Sequence, residues 1–195
     1  MTTTSNLDDI CLSGGAEGAD LQWGMCAGMI GHMVVHFSFS GHRSAAPEAE
    51  LVVLTPEQLE AADGPCKAAS KGIKRWFPPK SLFVKNLLRR NWYQVKDAER
   101  VYAVASFEDG IVTGGTSWAV QMFIDRFDGE ACEAYVFDQI TGAWFMWAGE
   151  DGWLAVTDVP KPHGVWAGIG SRKLLPNGKQ AIRTLLGYVS NASLI

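Results

Sequence analysis

The segment Ile10-Cys-Leu-Ser-Gly-Gly-Ala-Glu-Gly-Ala-Asp20 constrains the fold more than any other stretch. A short apolar run, Ile10 to Leu12, leads into Ser13, Gly14 and Gly15. From Gly18 onward, Leu21, Trp23, Met25, Cys26, Ala27, Met29 and Ile30 recur close to helical spacing. The pattern predicts a strand, a glycine turn and a helix N-terminus. Such a turn leaves backbone N–H groups uncovered, and the helix dipole adds partial positive charge at the same point. Together they form an anion site, most often for phosphate. The same turn can also serve packing alone.

A second stretch, Val112-Thr-Gly-Gly-Thr-Ser-Trp118, repeats the arrangement. It follows strand-like runs at 100–105 and 111–112 and precedes a helix-like segment at 119–127. Two glycine turns at strand ends can face one crevice in an open parallel sheet, which is where such sheets bind ligands. The expected fold class is therefore α/β: an open, mostly parallel sheet with helices on both faces. Residues 139–156 read as a tryptophan-rich β-hairpin inserted in the second half, as a lid over the ligand or a dimer surface. No internal repeat, low-complexity tract or domain boundary is visible, so residues 1–195 are expected to form a single domain.

Further candidates come from the remaining segments. Residues 1–8 read as a loose tail, and strands are expected at 9–12 and 32–39. The loop Ser40-Gly-His-Arg-Ser-Ala-Ala-Pro47 should lie at the end of the second of these, where Arg43 can grip a phosphate with its two-pronged guanidinium. His32 and His36 share a strand face without a third ligand, so no metal site is expected. A short strand at 51–54 precedes a helix started by Thr55-Pro56, and a mixed helical segment at 57–71 is interrupted by Asp63-Gly-Pro65. Phe77-Pro-Pro79 ends it.

Residues 81–96 form the longest amphipathic helix pattern, with Leu82, Phe83, Asn86, Leu87, Arg90, Tyr93 and Gln94 on or near one stripe. Asn86, Arg89, Arg90 and Gln94 are ligand candidates, and an arginine pair suits a diphosphate. The bland alternative is a helix with polar edges. Gly114 and Gly115 should close the crevice, with Thr116 and Ser117 as hydroxyl donors and Trp118 as a stacking platform or core residue. A strand at 134–137 ends in Asp138, an acid placed to hold ribose hydroxyls or to cap a turn. Residues 165–172 give one more strand-to-turn segment, with Arg172 as a ligand contact. A last helix is expected over 178–189.

Composition narrows the function classes. The chain has 195 residues, a 47% hydrophobic and 19% charged content, and a net charge of −4. That balance fits a folded core and argues against nucleic-acid binding, which needs a basic face. Cys11, Cys26, Cys66 and Cys132 lack CxxC spacing and read as free thiols of a reducing compartment. The polar start and the lack of an apolar run of ~20 residues predict neither a signal peptide nor a membrane span. Eight tryptophans are many for this length; they fill cores, stack on bases and anchor subunit interfaces, and a homo-oligomer (dimer or higher) is expected.

Ser13-Gly-Gly-Ala-Glu-Gly-Ala-Asp20, followed by Gly114-Gly-Thr116 after a later strand, resembles the SLOG superfamily. That group includes the LOG (cytokinin-activating) enzymes, the DNA-processing protein DprA and ligand-sensing domains of some antiphage effectors. The resemblance spans residues 8–140 as an architecture, and its specificity lies in the two glycine motifs. It implies a Rossmann-like fold and a nucleotide-derived ligand at Ser13, Gly14, Gly15, Glu17, Gly18 and Asp20. In LOG enzymes a glutamate follows the second glycine motif; here Gln121 falls near that place, and a glutamine cannot ionise. Glu17 or Asp20 would have to supply an acid instead.

The expected function is therefore to bind and sequester a nucleotide-derived signal, such as an ADP-ribose derivative or a cyclic nucleotide. Phage proteins that soak up immune signals work this way, which would put the chain in the host cytoplasm if viral. The alternative is an N-glycosidase or nucleotide hydrolase of LOG type. Neither reading requires a cofactor. DprA-like binding of single-stranded DNA fits the acidic balance poorly.

Overall fold

The computed structural model describes residues 9–188. In chain order it contains β1 (Ile10–Ser13), α1 (Ala19–Met29), β2 (Met33–Phe39), β3 (Leu51–Leu54), α2 (Pro56–Ala61), α3 (Asp63–Gly72) and α4 (Leu82–Val95). Then come β4 (Arg100–Ala105), the small pair β5 (Phe107–Glu108) and β6 (Ile111–Val112), α5 (Thr116–Asp125), β7 (Ala134–Asp138), β8 (Ala143–Trp147), β9 (Trp153–Val156), β10 (Val165–Gly170) and α6 (Pro176–Leu185). One eight-stranded sheet has the order β3-β2-β1-β10-β4-β7-β8-β9. The strands from β3 through β7 are parallel, and β8 and β9 add antiparallel. The fold is α/β, Rossmann-like in its open sheet.

Local chemistry explains the boundaries. β4 is buried at every position, as a central parallel strand must be. Thr55 and Gln58 form a reciprocal capping box around Pro56 at the start of α2. The Ser81 hydroxyl accepts from the Val84 N–H and starts α4. Gly31, at φ 90°, ends α1, and the His32 N–H returns to the Ala27 carbonyl.

Helices cover both faces. On one side α1 and α6 pack on a cluster built around Trp23, Tyr102 and Trp166. On the other, α3, α4 and α5 bury Leu88, Val95, Trp118 and Phe123 against the sheet. The last parallel strand, β10, runs between β1 and β4. The C-terminal ends of these three strands therefore lie side by side, where the chain's winding direction reverses. No helix among the described residues is long and apolar enough to cross a membrane.

Several expectations need correction. The segment 139–156 is no lid: β8 pairs along β7, from Tyr135 opposite Met146 to Asp138 opposite Ala143, and so extends the sheet. The helical segment at 57–71 is divided as expected, into α2 and α3, but the break falls at Ala62, and Asp63-Gly-Pro65 opens α3, where proline's missing N–H costs nothing. The helix expected from 119 begins at Thr116, directly on the glycine turn. The last helix spans Pro176–Leu185, and Val189, like the tail at 1–8, lies outside the described residues.

The strand tips are tightly packed. A Cβ at Gly170 would overlap the Val104 carbonyl oxygen and come within 2.6 Å of the Ala19 Cβ. A Cβ at Gly64, inside α3, would meet nothing within 4 Å. Gly170→Ala should therefore lower unfolding stability by about 1–3 kcal/mol. Gly64→Ala should leave it unchanged or raise it by up to ~1 kcal/mol. Urea unfolding of the two variants checks both signs.

Candidate functional site

A cavity of about 420 Å³ opens at the C-terminal ends of β1, β10 and β4, within the ~300–1,000 Å³ range of small-molecule sites. Ala16 and Asp20 line it from the first glycine turn and α1, and Thr113, Gly114, Gly115 and Thr116 from the second turn and α5. α4 supplies Arg90, Asn91 and Gln94, with Val84, Leu87 and Leu88 as an apolar wall. Gly170, Ser171 and Arg172 complete it behind β10.

The first turn is built around a side chain. A Cβ at Gly14 would overlap the Arg90 Nη1 and Asp20 Oδ2 atoms, so glycine makes room for the guanidinium. Arg90 and Asp20 are buried, 5% and 6% exposed, and pair at 3.5 Å. The other Asp20 oxygen accepts from the Gly170 N–H at 3.0 Å. With the Gln94 oxygen facing the donors, it accepts from the Gly14 N–H (2.7 Å) and Arg90 Nη1 (3.3 Å), while its amide donates to Asn91 Oδ1 (3.0 Å). This orientation replaces a single longer contact, 3.4 Å, from the amide to Asp20. The Gly14 N–H is thus committed to Gln94.

The second turn stays open. Arg75 Nη1 and the Ser117 hydroxyl donate to the Gly114 carbonyl at 2.7 and 2.8 Å, and Asn91 Nδ2 donates to the Gly115 carbonyl at 3.1 Å. The carbonyls are held back, and α5 starts on the cavity wall with no side-chain cap. Its first-turn N–H groups give the wall partial positive charge.

The electrostatics of the first turn are incompletely balanced. Arg90 Nε is buried without a hydrogen-bond partner among the described residues. Burial, opposed by Asp20 and reinforced by Arg172, lowers the Arg90 pKa. Burial raises the Asp20 carboxyl, against the pull of Arg90 and the Gly170 N–H. His36 and His42 are each driven down to about 4, by burial first and then by Arg90; Arg172 adds to the effect at His42. His42 shares its Nδ1 with the Ser38 hydroxyl at 3.1 Å, and its Nε2 is buried without a partner among the described residues.

Of the candidate residues, the fold brings Asp20, Arg90, Gln94, Gly114, Gly115, Thr116 and Arg172 onto one cavity, with Gly14 directly behind Arg90. The others do different work. The Ser13 hydroxyl is spent on the Gly168 and Asp20 carbonyls. The Gly15 carbonyl accepts from the Ser44 hydroxyl and the Ala45 N–H, tying the loop after β2 to the turn. Gly18, at φ 102°, lets the Ser171 and Arg172 backbone approach α1. Glu17 and Arg43 are exposed and do not line the cavity.

Arg89 does not join Arg90 in a diphosphate clamp. It grips Asp63 of α3 at 2.7 and 3.0 Å and takes Asn86 with it at 3.1 Å. Consecutive helical residues point about 100° apart, so adjacent arginines diverge. Trp118 is core, packed on Phe77, and not a stacking platform. Asp138 caps a turn, accepting from the Ile140 and Thr141 N–H groups and the Thr141 hydroxyl. Gln121 donates to Asp125 at 2.8 Å under Gly72 and does not line the cavity.

Asn91 and Ser171 were missed as wall residues. Asn91 stood in the Arg89-Arg90-Asn91 cluster, one turn before Val95, and its spacing to Leu87 and Gln94 marks the cavity stripe. Ser171 carried no sequence signal beyond following Gly170. Compared with protein-family models, curated proteins and solved structures, the chain matches none.

The neutral His36 gives a pH signature. Its folded pKa, about 4, lies below the ordinary 6.5, so the unfolded chain takes up the proton first. Stability should fall as pH drops through that window, by up to about 1.4 kcal/mol per pH unit for this group. In His36→Gln that part of the slope should vanish, as read from urea midpoints across the window.

Proposed function

We propose that the cavity binds a single phosphorylated, nucleotide-derived small molecule and holds it intact. The observation carrying this reading is Arg90: a buried guanidinium with an unpartnered Nε, at a strand-tip cavity where both glycine turns converge. An anion there gains the remaining Arg90 donors, Arg172 at the rim and the uncapped start of α5. The apolar wall of Val84, Leu87 and Leu88 takes the uncharged body of the ligand. The resemblance to the SLOG superfamily names the ligand class: an ADP-ribose derivative or a cyclic nucleotide. Sequestration of such a signal, as by a phage protein evading host immunity, is the role we infer.

Holding is favoured over cleavage because Gln121, at the place of the LOG glutamate, faces Asp125 away from the cavity. One observation favours the second reading, an N-glycosidase: Asp20 is buried on the cavity wall with its pKa raised by burial, as a general acid requires. Glu17 is set aside because it is exposed and off the wall.

Incubating the protein with ADP-ribose or cyclic nucleotides and then denaturing it separates the two readings. Intact ligand supports holding; free base or ribose phosphate, lost in Asp20→Asn, supports cleavage. By calorimetry, Arg90→Gln should weaken binding by ~2 kcal/mol or more, about thirtyfold. Arg89→Gln should leave affinity unchanged, because Arg89 serves α3. Equal affinity loss in both variants would contradict the assignment of Arg90.

A further inference from the structure

The charges in the cavity wall add up to a preference among phosphates. Arg90 does not enter as a free cation. Asp20, on the same wall and equally buried, stands 3.5 Å from its Nη1. What remains positive is the uncapped start of α5, worth about half a charge, and Arg172, whose side chain is exposed at the rim. A phosphate reaching the unpartnered side of Arg90 also reaches the neighbourhood of the Asp20 carboxylate. Like charges in a poorly hydrated space repel far more than they do in water.

Resting on the proposed nucleotide-binding function, we propose that this site selects monoanionic phosphodiesters over dianionic phosphomonoesters, and that Asp20 is the residue that sets the choice. A cyclic nucleotide or an internal diester carries one charge, which the α5 terminus and the free Arg90 donors satisfy. A terminal phosphate carries nearly two at neutral pH, and the second faces Asp20 with only the solvated Arg172 to offset it. Asp20 is fixed in that position by the Gly170 N–H and cannot swing away without abandoning it. The cavity, about 420 Å³, also suits one nucleotide better than a chain of them.

Among the groups around Arg90, the Cys11 thiol and the two histidines keep one charge state through a pH test. Asp20 itself and Glu50, both raised by burial, are the carboxyls whose titration the Asp20→Asn arm separates from that of the ligand. Cys11 of β1 lies beside Asp20, and burial holds its thiol well above the ordinary value. His36 of β2 and His42 after it lie near Arg90 and stay neutral down to about pH 4. Glu50 stands against His36 at 3.5 Å, and Arg172 follows β10.

The experiment compares 3',5'-cyclic AMP with 5'-AMP on the full chain by calorimetry. Near neutral pH the cyclic ester should bind at least about tenfold more tightly. Lowering the pH below the second phosphate pKa of about 6 makes 5'-AMP monoanionic and leaves the cyclic ester unchanged, so the gap should close. In Asp20→Asn the gap should shrink at neutral pH as well; if that variant fails to fold, the pH series on the wild-type chain decides alone. Equal affinities at neutral pH, or a gap that pH does not alter, overturns the proposal while leaving nucleotide binding intact. Binding of neither compound, nor of ADP-ribose, overturns the function on which the proposal rests.

Discussion

The structure of the strand tips depends on one buried pair, Arg90 with Asp20. Arg90 comes from α4 on one face of the sheet, and Asp20 from the first turn of α1 on the other. They meet over the end of β1, which is possible only because residue 14 has no side chain. Asp20 binds the end of β10 through the Gly170 N–H, and Gln94 ties Arg90 to the Gly14 N–H. Two helices and two strands are thereby fixed relative to one another by five polar groups. A glycine that the sequence presents as a phosphate cradle is in fact the socket for a guanidinium.

The fold was readable because its signals are local. Apolar runs of strand length ending in glycine turns, followed by apolar residues at helical spacing, recur at 10–30 and 100–125, and each recurrence became a strand and a helix on the sheet. The placement of β10 between β1 and β4 was not readable, because it is a pairing across more than 150 residues that no local pattern encodes. The hairpin was legible as β8 and β9 but not as a sheet extension: half-buried aromatics such as Trp144 and Phe145 look the same in a lid and on a sheet. That distinction is decided by pairing with β7, not by composition.

The site was legible in part, and the division has a physical rule. Glycines and helix stripes indicate where the backbone goes, and so Gly114, Gly115, Arg90 and Gln94 were found together. Side-chain hydroxyls and carboxylates were less predictable, because nearby backbone groups compete for them. Ser117 and Asp138 are consumed by carbonyls or N–H groups within their own turns, and Ser13 by the Asp20 carbonyl and the Gly168 carbonyl of β10. Arg89 shows the same effect at longer range: a carboxylate on α3 is reached before any ligand. Charge density along the sequence is a poor guide to a cavity, whereas helical spacing is a good one.

Stability alone does not account for the Arg90–Asp20 pair. Burying two charges costs several kcal/mol per ion, and well-packed apolar side chains of similar volume are often as stable or more so. A pair kept for stability would also be expected to satisfy its hydrogen-bonding atoms, yet Arg90 Nε has no partner among the described residues and the ion-pair distance is long. The incompleteness of this pair lies at the cavity end of the sheet. There, the Gly114 and Gly115 carbonyls are turned away by Arg75, Ser117 and Asn91, and the start of α5 is left uncapped. A cavity that holds back those carbonyls and leaves donors unspent is what the proposed binding of an anionic guest calls for. Under that proposal, the carboxylate in its wall limits how much negative charge the guest can carry.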